Sequence, residues 1–109
     1  MKRLFVLAST IAMTLGSGGA HAVDAAAADA LVRKSKCLTC HHQTKEKDGP
    51  AFAETAKKYR DKPEAMEKLT KHVTVPSKVK VDGAEEDHET LRTDDPAAVK
   101  NVVEWILSL

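Results

Sequence analysis

Four stretches of the chain place apolar side chains three and four residues apart, the spacing of an amphipathic helix. The first follows Asp24, a residue suited to capping, and runs from Ala25 to about Ser35 with Leu31 and Val32 on its apolar side. The second starts after Gly49-Pro50 and covers Ala51 to Tyr59, where Phe52 and Ala56 sit four residues apart. The third is opened by Asp61 and Pro63 and extends to about His72; Ala65, Met66, Leu69 and Val73 share one face, which assigns Met66 to the core. Asp95-Pro96 opens the last, a capping carboxylate followed by proline at the first helical position. Its stripe of Val99, Val102, Val103, Ile106 and Leu107, with Trp105 beside it, marks it as a core element.

Between His72 and Asp94 the helical period disappears. Alternating valines and lysines from Val73 to Val81 fit an extended piece or short hairpin, although Pro76 argues against a strand. Asp82-Gly83 and an acidic run to Glu89 follow. A connection this long inside a small domain is usually functional or disordered.

The N-terminus is of another kind. Lys2 and Arg3 precede the apolar run Leu4 to Leu15, then small residues and Ala20-His21-Ala22, the layout of a cleavable secretory signal. The run is 12 residues, short of the roughly 20 needed to cross a bilayer as a helix. Residues 1–22 are therefore expected to be removed and residues 23–109 to form one domain in the periplasm.

Composition narrows the function. Seventeen basic and 16 acidic residues leave a net charge of +1, without the basic stripe of a nucleic-acid binder. Aromatics are 4 % of the chain, little bulky material for a core so small, so something other than side chains is expected to fill the middle.

An exported chain with two cysteines would ordinarily be counted as having one disulfide. The order Cys37-Leu38-Thr39-Cys40-His41 points elsewhere, because C-x-x-C-H is the attachment motif of a c-type haem. Two thiols add to the two vinyl groups as thioethers, and the next side chain is an imidazole able to bind the iron. A thioredoxin-like dithiol would sit beside a strand–helix–strand pattern, whereas the segment upstream is Ala-rich and helical. A structural zinc site would need a second ligand pair at finger-like spacing, which is absent.

With these residues in order, the chain resembles the small bacterial monohaem class I c-type cytochromes over essentially all of Val23 to Leu109. The features that carry the likeness are the helix running into Cys37–His41, Gly49-Pro50-Ala51-Phe52, the middle helix around Ala65 to Lys71, and Val103-Glu104-Trp105-Ile106-Leu107-Ser108-Leu109. The resemblance implies an all-α fold of about four helices around one covalent haem c, with the first and last helices crossing. It places Leu31, Trp105 and Ile106 at that crossing and gives the Pro50 carbonyl the task of orienting His41. Cys37, Cys40, Pro50, Phe52 and Trp105 are thereby the expected haem-binding residues.

One feature departs from the family. Its members usually carry a methionine some way before the last helix as the sixth iron ligand, and here that loop has none. His88 stands near the usual place, so the expected iron ligands are His41 and His88. His72 and an open sixth position remain alternatives, the more so because Glu85-Glu86-Asp87-His88-Glu89 also reads as a solvated acidic loop. His42, next to the proximal ligand, is expected at the surface.

The charges are also divided along the chain, with 13 basic and 6 acidic residues from Arg33 to Lys80 against 2 basic and 8 acidic from Val81 to Leu109. Such asymmetry can steer a carrier toward a charged partner, unless folding mingles the two sets. No acid, base or nucleophile constellation points to an enzyme. The expected function is electron transfer with unidentified redox partner proteins, as a soluble monomer with no nucleic-acid partner. The alternative, a binder or sensor of small gases, follows if the sixth position is open or displaceable.

Overall fold

The computed structural model describes residues 22–109; the expected signal segment, apart from Ala22, lies outside them. The chain folds as α1 (Ala25–Lys34), a single 3-10 turn (Cys37–Thr39), α2 (Phe52–Tyr59), α3 (Ala65–Thr74), strands β1 (Ser77–Val81) and β2 (Ala84–His88), and α4 (Pro96–Ser108). All four helices expected from periodicity are present, and no helix among the described residues is long and apolar enough to cross a membrane.

Local chemistry sets the helix starts. The Asp24 carboxylate accepts from the Ala27 N–H at 3.0 Å, and that of Asp95 accepts from the Ala97 N–H at 2.9 Å. Each satisfies a backbone donor that the helix itself leaves without a partner. Helix α4 packs against α1, α2 and α3 and is the spine of the domain. Ala28, Val32 and Val102 are almost wholly buried in one cluster shared by α1 and α4. Small and β-branched side chains there let the two backbones approach closely. A reciprocal pair reinforces the contact: Asn101 Oδ1 accepts from the Asp24 N–H at 2.9 Å, while its Nδ2 donates to the Asp24 carbonyl at 2.8 Å.

One expectation needs correction, and of the readings offered for the long connection the structure takes the hairpin. Met66 is half-buried rather than in the core; it lies on the flank of α3 facing Val99 and Pro96, with Ala65 and Leu69 taking the buried positions. The stretch between α3 and α4 is not purely irregular. It holds an antiparallel hairpin in which Ser77 pairs with His88, Lys78 with Asp87 and Lys80 with Glu85. Its two-residue turn has Asp82 at φ 49° and Gly83 at φ 81°, the paired positive values that match the twist of a hairpin. Pro76 is compatible because it precedes the first paired residue. The two charge blocks meet across this ladder, where Lys78 Nζ lies 2.5 Å from Asp87 Oδ1. Their division along the chain is therefore erased locally in space.

Ser35 is the one buried polar residue among those described, and its hydroxyl oxygen accepts from the Arg92 N–H at 2.9 Å. That bond ties the end of α1 to the strand-to-helix connection. Ser35→Ala is expected to lower stability by about 1–2 kcal/mol, the cost of a part-buried donor left unmade. A fall in Tm checks this, and an unchanged Tm would show that water replaces the hydroxyl.

Candidate haem site

The cysteines and the first histidine are set by how α1 ends. Lys36 takes a left-handed conformation, φ 60°, which stops the helix and turns the chain into Cys37–Thr39. The His41 N–H then donates to the Cys37 carbonyl at 3.0 Å, closing Cys37 to His41 into one compact turn. Cys37, Cys40 and His41 all face a cavity of about 380 Å³ enclosed by apolar side chains of the helices, including Val32, Leu69, Val102 and Ile106.

His41 is held on two sides. Its Nδ1–H donates to the Pro50 carbonyl at 2.7 Å, which leaves Nε2 without a proton and available as a donor atom. The ring is stacked on Phe52, with centroids 5.2 Å apart. Behind it lies Gly49, where an alanine Cβ would stand 2.5 Å from Cε1 of the imidazole. Gly49 lacks a positive φ, so space rather than backbone conformation demands glycine. Sequence reasoning read Gly49 only as a helix-start signal. The clue was its pairing with Pro50, since a residue adjacent to the carbonyl that anchors a ring must itself leave room for that ring.

His88, the last residue of β2, lines the same cavity as His41. The two ring centroids are 6.2 Å apart and the planes 71° from parallel. Two imidazoles bound to one metal through nitrogens about 2 Å from it, each nitrogen roughly 1.1 Å from its ring centre, have centroids about 6 Å apart when opposed. Nδ1 of His88 is buried with no hydrogen-bond partner. A buried imidazole nitrogen without a partner is costly, and a metal bond removes that cost. His72, on α3, also lines the cavity, its ring 4.1 Å from that of His88.

Burial holds the pKa of His88 below the ordinary imidazole value, with His72 and His41 adding to the effect and Glu89 opposing it. His72 is solvent-exposed as a residue; partial desolvation of its ring at the cavity, and His41 after it, lower its pKa. A lowered pKa favours the neutral form, the one that offers a lone pair to a metal. Burial pushes the Cys37 thiol up. A reactive dithiol of the thioredoxin kind needs the reverse, a depressed thiol pKa. Among the described residues no group of three or more His, Cys, Asp and Glu is arranged to hold a metal ion.

The other expected site residues divide in two. Phe52 and Pro50 line the cavity. Trp105 was expected to touch the cofactor but is not on the cavity wall; it lies one ring behind, edge-on to Phe52 at 6.0 Å. Leu31 packs at the edge of the same core and Ile106 lies within it. His42 is exposed and uses Nδ1 to accept from the Thr44 N–H at 3.0 Å, turned away from the cavity.

The residues present fit one c-type haem: two thiols and an anchored imidazole at one wall, apolar packing around, and a partnerless imidazole nitrogen on the same cavity. Comparison with known proteins agrees. The cytochrome c family model matches residues 25–109. Among solved structures, the class 1 cytochrome MtoD from Sideroxydans lithotrophicus ES-1 is 48 % identical, with a TM-score of 0.75 over 80 % of this chain and 97 % of that one. Wild-type cytochrome c552 of Nitrosomonas europaea is 27 % identical, with a TM-score of 0.58 over 74 % of this chain and 98 % of that one. Its N64Del mutant is 26 % identical, with a TM-score of 0.59 over 73 % and 96 %. No curated protein sequence matches significantly. The chain belongs to the cytochrome c family as a small class I member with one covalent haem c, a haem electron-transfer protein.

Proposed function

We propose that this is an exported carrier of single electrons whose haem iron is bound by two histidines, His41 and His88, and whose reduction potential is thereby low for its family. The observation that carries the reading is the pair of rings at 6.2 Å, in a chain with no methionine between Met66 and the last helix.

Cys37 and Cys40 would hold the haem c through thioethers, and His41 and His88 would hold its iron. When bound, the group supplies a one-electron ferrous/ferric couple. The protein's part is to keep the ligands still. The Pro50 carbonyl fixes the tautomer and direction of His41 and raises its donor strength. Phe52 and Gly49 confine its ring on either side. A rigid, doubly ligated iron changes little between oxidation states, which is what rapid electron transfer requires.

Two features push the potential down. Imidazole in place of a thioether favours ferric iron. Glu86 and Glu89, near His88 on the cavity lining, add negative charge beside the more positive state, with Lys36 and Lys80 on the same lining opposing them. Residues 1–22 are proposed to be a signal removed on export, which would make the periplasm the working compartment and redox proteins there the donor and acceptor. The mature chain is proposed to act as a monomer without enzymatic activity.

The test is the visible spectrum of the mature holoprotein in both oxidation states, with and without carbon monoxide, joined to a redox titration. The expected result is a low-spin spectrum lacking methionine-ligation features, indifferent to carbon monoxide, with a potential below that of methionine-ligated relatives. A high-spin iron or ready uptake of carbon monoxide would overturn the reading in favour of gas binding.

A further inference from the structure

We propose that His72 is a reserve iron ligand, able to replace His88 when the hairpin that carries His88 moves away. This rests on the reading of His88 as the resident ligand.

The argument lies in how differently the two histidines are mounted. Both line the one cavity that His41 faces, and their rings are in contact at 4.1 Å, tilted by 41°. A displacement of one ring width at His88 therefore leaves His72 as the imidazole next to that position. His72 belongs to α3, which is fixed to the body of the domain through buried Ala65 and Leu69 and through Val73 packed on the core. His88 closes a two-stranded hairpin whose other residues are exposed except for half-buried Val79 and Val81. An isolated two-stranded hairpin is only marginally stable. Its return to the core is held by the Leu91 N–H donating to the Val73 carbonyl at 2.8 Å, beyond His88 in the chain. Anchorage differs as well: the His41 ring is bonded through Nδ1–H to the Pro50 carbonyl and stacked on Phe52. Of the two resident imidazoles, His88 is the one less firmly held.

The exchange is a simple substitution. The bond from a His88 nitrogen to the iron would break and one from a His72 nitrogen would form, each ring binding through an unprotonated nitrogen and no electron being transferred. A tethered side chain competes with dissolved ligands at an effective concentration on the order of millimolar. His72 would thus keep the iron doubly ligated during hairpin excursions and keep small gases from binding. That favours an electron carrier over a gas sensor.

The test compares the spectra of holoproteins carrying His88→Ala, His72→Ala and both. The proposal expects the first to stay low-spin and unresponsive to carbon monoxide, and the double variant to turn high-spin and to bind carbon monoxide. It expects His72→Ala to stay low-spin while its ferrous form takes up carbon monoxide over a period in which the wild-type form does not respond. If His88→Ala alone turns high-spin, the reserve role is overturned and resident ligation by His88 stands. If His72→Ala alone turns high-spin while His88→Ala does not, His72 is the resident ligand and both readings fall. A low-spin double variant likewise overturns both. Should the His88 variants not fold, His72→Ala decides by itself: a ferrous form as indifferent to carbon monoxide as wild type rejects the reserve role.

Discussion

Gly49→Ala is expected to dislodge the His41 ring and with it the low-spin state of the haem. The added Cβ would lie 2.5 Å from Cε1, 2.9 Å from Nδ1 and 3.0 Å from Nε2, so it meets the ring across its breadth rather than at a movable tip. An ordinary carbon contact needs about 3.5–4.0 Å, which obliges the imidazole to retreat by roughly 1 Å. It cannot do so and keep its 2.7 Å bond to the Pro50 carbonyl, because Pro50 is the next residue along the chain. Phe52, stacked at 5.2 Å, restricts the retreat further. Overpacking of this kind costs about 1–3 kcal/mol. The loss of a fixed tautomer and orientation adds to it, since partners that orient a metal-bound histidine typically matter about 10–100-fold for affinity. Ferric and ferrous spectra of the variant, with a thermal melt, check the prediction. An alanine variant with wild-type spectra and Tm would mean that the loop around Gly49 yields, and that His41 is less tightly confined than its contacts imply.

Trp105→Ala is expected to destabilise the protein by about 3–5 kcal/mol, the range for removing a large aromatic side chain from a core. Trp105 is only 5 % exposed, and few other large side chains are available to close the gap. Its ring meets Phe52 edge-on at 6.0 Å, within the favoured geometry for aromatic pairs. Phe52 in turn supports His41, so the defect reaches the site through one intervening ring. A loss of this size is a large share of a small domain's stability, about 5–15 kcal/mol in total. In denaturant the midpoint should fall with little change in slope, as for a change in stability rather than in mechanism. Trp105→Phe should recover most of the loss. If alanine costs under about 1 kcal/mol, the bound haem rather than this aromatic contact holds α4 in place.

The two variants also show which parts of the molecule were legible in the chain. Trp105 was recognisable as a helix-packing residue from the stripe on α4, but its distance from the cavity was not. Position on a helix face is local information, whereas the order of rings from Trp105 through Phe52 to His41 depends on how α2 and α4 meet. Gly49 was visible as punctuation and invisible as a contact. Met66 followed the helical period and still missed the core, because periodicity names a face of α3 and only packing against α4 decides how wide the buried strip is. The hairpin carried its own signal in Asp82-Gly83, yet the charges around it read as a solvated loop. Their pairing of Lys78 with Asp87 and Lys80 with Glu85 exists only once the chain has turned back on itself.

What the sequence determined by itself is therefore what short-range chemistry enforces: the helix starts at Asp24 and Asp95, the apolar stripes of the four helices, and the grouping of Cys37, Cys40 and His41 for a covalent haem. Those features depend on residues within a turn or two of each other, so their order along the chain is enough. Only the tertiary structure decided which histidine faces His41 and which stands beside it. His41, His72 and His88 are 31 and 16 residues apart in succession, and they meet because α3 and the hairpin fold onto the same cavity. The backbone geometry that sets a 6.2 Å separation in one case and a 4.1 Å contact in the other is long-range, and no local pattern encodes it.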